Sequence, residues 1–233
     1  MRYWTWAEIK AKIESECDLQ DETFVRPDEL LAYANEAIDE AESEIHSLYE
    51  DYFLKYKDYN VQDQVETISM PDDIYANKIR SVIFHLGTQI GQNMTSYRVK
   101  RLSDARKFEQ KAIMDSYNPK GLYEYFVVNS TVGSPQIMFT PKVWQTGIMR
   151  VWYLRNANRL YTDTDICDIP EFVNFVIAFI KVKVYAKESH QDLPDAEATL
   201  ERLRASMNGT LQAMVPDADN NIDMDLSYYD DMN

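Results

Sequence analysis

The residue types that most often do chemistry are scattered in this chain. His46, His85 and His190 lie far apart, and none has a second histidine or a cysteine three or four residues away, the spacing that sets two metal ligands on one helix face. His46 is expected on the acidic side of a helix, His85 at a strand end and His190 in a connection, each packed or solvated. Cys17 completes an apolar stripe and Cys167 sits in a polar turn with no histidine near it in sequence, so neither reads as an activated thiolate. Asp217, Asp219 and Asn221 imitate the opening of a calcium loop. That loop needs Gly and a bidentate Glu where this chain has Ile222 and Tyr228, so the pattern fails. Asp163, Asp165 and Asp168 read more simply as a solvated turn than as a metal site. Paired carboxylates for glycoside hydrolysis carry no information where almost any pair would qualify. Gly-rich phosphate loops and nucleophile elbows are absent. The expectation is no catalytic residue, no metal and no cofactor.

Basic residues are unevenly placed. Lys78, Arg80, Arg98, Lys100, Arg101, Arg106 and Lys107 gather in the middle of the chain, followed by Arg150, Arg155 and Arg159. Interleaved aromatics make single-stranded nucleic acid a binding class to weigh. The whole chain argues against it: 24 Lys and Arg face 39 Asp and Glu, a net charge of −15 over 233 residues. Phosphate contacts need cations, so neither free nucleic acid nor an anionic bilayer is the expected main partner. A solvated sheet face or a charged contact between subunits is the better reading of the patch.

The elements that would position these residues follow from periodicity. Thr5-Trp6-Ala7-Glu8 is a capping box, and Trp6, Ile9, Ile13 and Cys17 make a short helix. Trp4 and Ile9 take the places of a hydrophobic staple. The opening residues enter this helix directly, and no secretory leader is expected. Pro27, Asp28 and Glu29 start a long helix whose apolar stripe runs through Leu30, Ala34, Ala37, Ile38, Ala41, Ile45, Leu48 and Tyr52. Strand patterns then appear at 64–70, 80–86, 122–128, 135–140 and 148–154, with a helix predicted over 103–116. Phe172 to Ile180 is apolar nearly all round, as a central bundle helix would be, and is too short to span a bilayer. A last helix runs from near Pro194 through Leu200, Leu203, Met207 and Met214 to Pro216. Beyond it lie six aspartates, no Lys or Arg, and the apolar residues Met224, Leu226, Tyr228 and Tyr229, the predicted anchors of an extended docking arm.

The expected fold is therefore α+β and predominantly α: a helical bundle of long helices with a small inserted antiparallel β unit and an extended C-terminal arm. The expected divisions are 1–54 for the N-terminal helices, 55–168 for the β unit, 169–215 for the C-terminal helices and 216–233 for the arm. Two cysteines in 233 residues suit a reducing cytoplasm.

The order of these segments resembles the head-to-tail adaptor, or connector, proteins of tailed bacteriophages, the short-tailed type above all. Pro27-Asp28-Glu29-Leu30-Leu31-Ala32-Tyr33-Ala34-Asn35-Glu36-Ala37 is similar to the opening helix of that family, with its aliphatic-Asn-Glu-Ala signature. Ile68-Ser69-Met70-Pro71-Asp72-Asp73 resembles its strand-to-turn step, with Met70 where Leu is usual. Tyr125 through Pro141 resembles a pair of strands, and the clearest stretch is Val151-Trp152-Tyr153-Leu154-Arg155, then Leu160, Asp165 and Asp168-Ile169-Pro170-Glu171-Phe172. The likeness spans most of 20–215; the Trp-rich start and the acidic tail depart from it.

The resemblance implies a virion structural protein in the neck, made in the host cytoplasm and not an enzyme. Copies of it, commonly twelve, would form a ring beneath the portal protein, extend the DNA channel and dock a tail or nozzle protein. Double-stranded DNA would pass through the lumen without sequence-specific binding. The arm is outside the resemblance; from its own residues, the tail from Val215 is expected to dock by an extended strand or a few anchors on the portal or a neighbouring subunit. The alternatives are a neck gatekeeper that closes the channel and, from a different class, a small soluble hydrolase with an acidic site.

Overall fold

A computed structural model of the chain describes residues 3–19, 24–87, 95–102, 123–129 and 135–215. They divide into two compact units: a helical unit from Met1–Tyr52 and Ala157–Asn233, and a sheet unit from Phe53–Asn156.

In the helical unit, α1 (Trp6–Glu16) opens on the capping box of Thr5 and Glu8. Its first free amides, those of Trp6 and Ala7, donate to the backbone carbonyls of Asp165 and Asp163 at 2.8 and 3.1 Å, so the 161–168 turn closes the helix end that would otherwise be unsatisfied. Helix α2 (Pro27–Leu48) begins with Pro27, and the Arg26 amide donates to the Glu29 carboxylate at 2.9 Å. It buries Leu30, Ala34, Ala37, Ile38, Ala41 and Ile45. After a 3-10 turn (Pro170–Phe172), α3 (Val173–Glu188) buries residues around most of its circumference, because α1, α2 and α4 all pack against it. Helix α4 (Leu193–Met214) buries only one face, through Ala196, Leu200, Met207 and Leu211.

Two polar devices fix the register of this unit. Asn35, the Asn of the α2 signature, donates to the Leu160 carbonyl and accepts from the Leu160 amide, both at 2.9 Å. The acidic face of α2 meets cations of the other segments: Glu29 with Lys187 (2.7 Å), Glu36 with Lys183 (3.0 Å), Asp39 with Arg159 (2.6 Å), and Glu40 and Glu44 with Arg204.

The sheet unit holds β1 (Leu54–Val61), β2 (Val65–Ser69), β3 (Ile74–Leu86), β4 (Ser96–Arg101), β5 (Glu124–Val128), β6 (Gln136–Val143) and β7 (Gly147–Arg155). The strand order is β1-β7-β3-β4-β5-β6-β2, and the pairs are antiparallel except β4 with β5, which run parallel. The sheet curls until it is nearly closed around Val82, Phe84, Val99, Tyr125, Phe139 and Val151, all at most 5% exposed. Side chains from all seven strands contribute to this core or pack against it, in near alternation along β6 and β7. Asp73, in the turn after β2, ties strands together: it accepts from the Tyr153 hydroxyl at 2.7 Å and Lys55 Nζ at 2.8 Å, and its carbonyl accepts from the Asn156 amide at 2.7 Å.

This architecture corrects the expectation of a mainly helical bundle of long helices with a small antiparallel insertion. Among the described residues 44% are helical and 32% lie in strands, and the seven strands form a mixed, nearly closed sheet. Only α2 and α4 reach 22 residues; α1 has 11 and α3 has 16. Two strands account for much of the error. Strand β1 exposes Leu54 through Asp58 and so has little apolar alternation, and β4 alternates Tyr97 and Val99 with Arg98 and Lys100, which read as a charge cluster. Helix α2 also stops at Leu48, and Tyr52 belongs to the 3-10 turn Glu50–Phe53. The helix predicted over 103–116 lies outside the described residues.

Two substitutions test this packing. A Cβ on Gly147 would stand 2.4 Å from the His85 carbonyl oxygen and 2.5 Å from the Phe84 ring, whereas one on Gly209 in α4 meets nothing within 4 Å. Gly147→Ala is expected to cost about 2–3 kcal/mol in urea unfolding, and Gly209→Ala to stabilise by about 0.5–1 kcal/mol. Asn35→Ala leaves the Leu160 amide and carbonyl without their side-chain partner and should cost about 1–3 kcal/mol in the same measurement.

Candidate functional site

Three cations with no salt bridge among the described residues, Arg98, Lys100 and Arg101, line a slot in the sheet unit. Strands β3 and β4 are paired from Val82–His85 to Ser96–Val99, and the ladder stops there. Beyond that point a register shift between Ile79 and Ser81 keeps β3 with β7, while Lys100 and Arg101 pair with Glu124 and Tyr125 of β5. The two strands part. The opening, about 490 Å³, is lined by Ile79, Arg80, Arg98, Lys100, Arg101 and Tyr125, among others.

Alternation explains part of its chemistry. Val99 and Tyr125 are 3% exposed and floor the slot, Arg98 and Lys100 alternate with Val99 on the other face of β4, and Arg101 at the end of β4 and Arg80 at the register shift of β3 are exposed beside them. Among the described residues Arg98, Lys100 and Arg101 are not ion-paired, and Glu124, opposite Lys100 in register, forms no salt bridge with it. Like charges on neighbouring strands repel, so the slot is primed for an anion.

The other cations of the expected patch are engaged elsewhere. Arg150 is held bidentately by Asp58 at 2.8 Å through both Nε and Nη2 and covers Tyr56, which packs at a tilt against Trp152 with ring centroids 4.9 Å apart. Lys78 lies over Tyr75, Arg155 over Phe53, and Arg159, in the helical unit, pairs with Asp39. Arg106 and Lys107 lie outside the described residues, as do Met224, Leu226, Tyr228 and Tyr229 of the arm. The overlooked signal for β4 was its two-residue alternation, which puts Arg98 and Lys100 on one face and Tyr97 and Val99 on the other.

Residues weighed for catalysis sit in structural roles. His46 is buried in α2 with Nε2 3.6 Å from Glu42, and so is not on the solvated acidic face. His85 Nδ1 bonds Ser96 Oγ at 2.8 Å, and His190 stacks on Tyr185 with centroids 4.3 Å apart. Burial pushes the thiols of Cys17 and Cys167 up to about 11, the opposite of activation. Asp165 accepts from the amides of Tyr161 and Thr162 and from the Thr162 hydroxyl, and Asp168 accepts from the Asn158 amide. The 161–168 turn is thus an ordered cap and not merely a solvated loop. Among the described residues no three His, Cys, Asp or Glu side chains converge as metal ligands. No described helix is long and apolar enough to cross a membrane.

A groove of about 450 Å³ in the helical unit has Ile177, Ala178, Ala196 and Leu203 on its wall and Lys12 and Lys181 on its rim. Both lysines lie within 4 Å of Glu16, at 3.9 and 3.8 Å, so this rim is internally compensated where the slot is not.

The two units differ sharply in charge. The sheet unit carries 14 Lys and Arg against 9 Asp and Glu, and the helical unit 10 against 30, giving +5 and −20. No protein-family model matches the chain, and no curated protein does.

Several carboxylates are tuned by these contacts. The Arg150 hydrogen bond holds Asp58 below the usual carboxylate range, the Lys187 hydrogen bond does so for Glu29, and the Thr162 and Tyr161 amides do so for Asp165. Each therefore contributes stability that is fully present above the unfolded-state pKa of about 4 and lost as pH falls through the lower folded-state value. The urea midpoint should hold steady from pH 7 to pH 5 and drop below about pH 4. Asp58→Asn should flatten part of that acid limb while costing less than about 1 kcal/mol at pH 7.

Proposed function

We propose that the chain is a head-to-tail adaptor of a tailed phage, a structural protein whose copies form a ring under a portal, prolong the DNA channel and carry the tail. The observation that carries this reading is the charge division, −20 in one unit and +5 in the other. A subunit divided in this way attracts its own copies through unlike charges, which favours repeated association over a single saturable pair. The acidic excess also suits a conduit for DNA: carboxylates that face a lumen repel phosphates and let the duplex slide. The collinear likeness to adaptors, from the α2 signature through the Asp168-Ile169-Pro170-Glu171-Phe172 step, supports the same reading. So do the places of its signature residues, with Asn35 and Asp73 each joining segments distant in sequence.

The test is direct mixing with the cognate portal, followed by light scattering and negative-stain imaging. Closed rings of the chain seated on the portal are expected, with assembly weakened as salt screens the unlike charges. A chain that ignores the portal at every concentration and instead turns over a glycoside or ester would overturn the reading in favour of a hydrolase. Rings whose lumen is blocked by the chain itself would reassign it to the gatekeeper.

A further inference from the structure

Arg98, Lys100 and Arg101 of the slot between β3 and β4 have no ion-pair partner among the described residues, and the same chain carries an anionic segment of complementary design. From Asp217 to Asn233 there are six aspartates and no Lys or Arg. Within it Ile222, Met224, Leu226 and Tyr228 alternate with Asp223, Asp225, Ser227 and Tyr229. In an extended strand that alternation puts an apolar row on one face and two carboxylates on the other. The slot offers a matching rim: Arg98, Lys100 and Arg101 are exposed there, beside the half-buried Ile79. It also offers edges, because Ile79–Ser81 and Lys100–Arg101 lie outside the β3–β4 ladder on their facing sides. An inserted strand could use them.

We propose that this slot receives residues 222–228 of a second copy of the chain, laid in as an added strand with Asp223 and Asp225 against Arg98, Lys100 and Arg101. Nucleic acid is the competing anion, and the floor disfavours it. A single strand needs open aromatic faces on which bases stack, and Tyr125 is only 3% exposed. The proposal deepens the ring reading by naming a contact between neighbours. It rests on self-association and not on the portal, so the two are tested apart.

Two full-length variants separate the outcomes: the slot variant Arg98→Glu/Lys100→Glu, which keeps a native arm, and the arm variant Asp223→Lys/Asp225→Lys, which keeps a native slot. A fluorescent peptide of residues 215–233 should bind the wild-type chain and bind the slot variant about tenfold or more weakly. The peptide carrying Asp223→Lys/Asp225→Lys should bind the slot variant in its place. In sedimentation each variant alone should associate less than wild type, and the two mixed should form a heterocomplex. Matching circular dichroism shows that the charge reversals left the fold intact, and Arg101→Glu alone serves as a milder second variant.

Equal peptide binding by wild type and slot variant overturns the proposal, whether or not rings form on the portal. Peptide binding with no heterocomplex in the mixture also overturns it, since the arm would then return to its own chain. A labelled single-stranded oligonucleotide that displaces the peptide and binds the slot more tightly would assign the slot to nucleic acid. Rings that fail on the portal while the charge swap restores binding would sink the adaptor reading and leave this contact standing.

Discussion

A helical unit with 30 acidic and 10 basic side chains must keep its carboxylates from driving its own helices apart, and this constraint governs much of the fold. The solution is positional. The anions of α2 that face neighbouring segments are met by Lys183, Lys187, Arg204 and Arg159, and Arg204 serves Glu40, Glu44 and Glu201 together. Each exposed pair is worth little alone, about 0–1 kcal/mol. Their joint effect is directional: they hold α2 against the strongly apolar α3 while most of the acidic excess stays on the outside.

The sheet unit answers a different constraint. A sheet that curls almost into closure must bend its longest strand, and β3 bends at its register shift between Ile79 and Ser81. Strand β3 stays on β7 through this irregular stretch while its ladder with β4 ends at Val82, and the cationic slot lies where that ladder ends. Backbone geometry and surface charge are thereby coupled: the place where the ladder opens is the place where three unpaired cations stand.

Much of the local structure was legible in the sequence because it is set by nearby residues. The Thr5 and Glu8 cap and the Pro27 start depend on contacts within one turn, and the α2 stripe and the all-round apolar character of α3 are periodic patterns visible within each segment. What was not legible depended on partners far along the chain. Strand β1 carries Lys55, Tyr56, Lys57 and Asp58 and looks solvated, but it pairs residue by residue with β7 and holds Arg150 through Asp58. The parallel β4–β5 pair could not be read from either strand, which is why the sheet was expected to be small and antiparallel. At the candidate site the cations themselves were visible early. Which of them remained uncompensated was a matter of three-dimensional pairing, with Arg150 and Arg159 removed from the set and Arg98, Lys100 and Arg101 left in it.

The two thiols show how burial settles later chemistry. Cys17 and Cys167 are both shielded enough that their protons stay on at neutral pH, and peroxide or another sulfhydryl reacts with the deprotonated form. Sulfenylation and disulfide exchange at both positions are slowed as long as the surrounding packing stays closed.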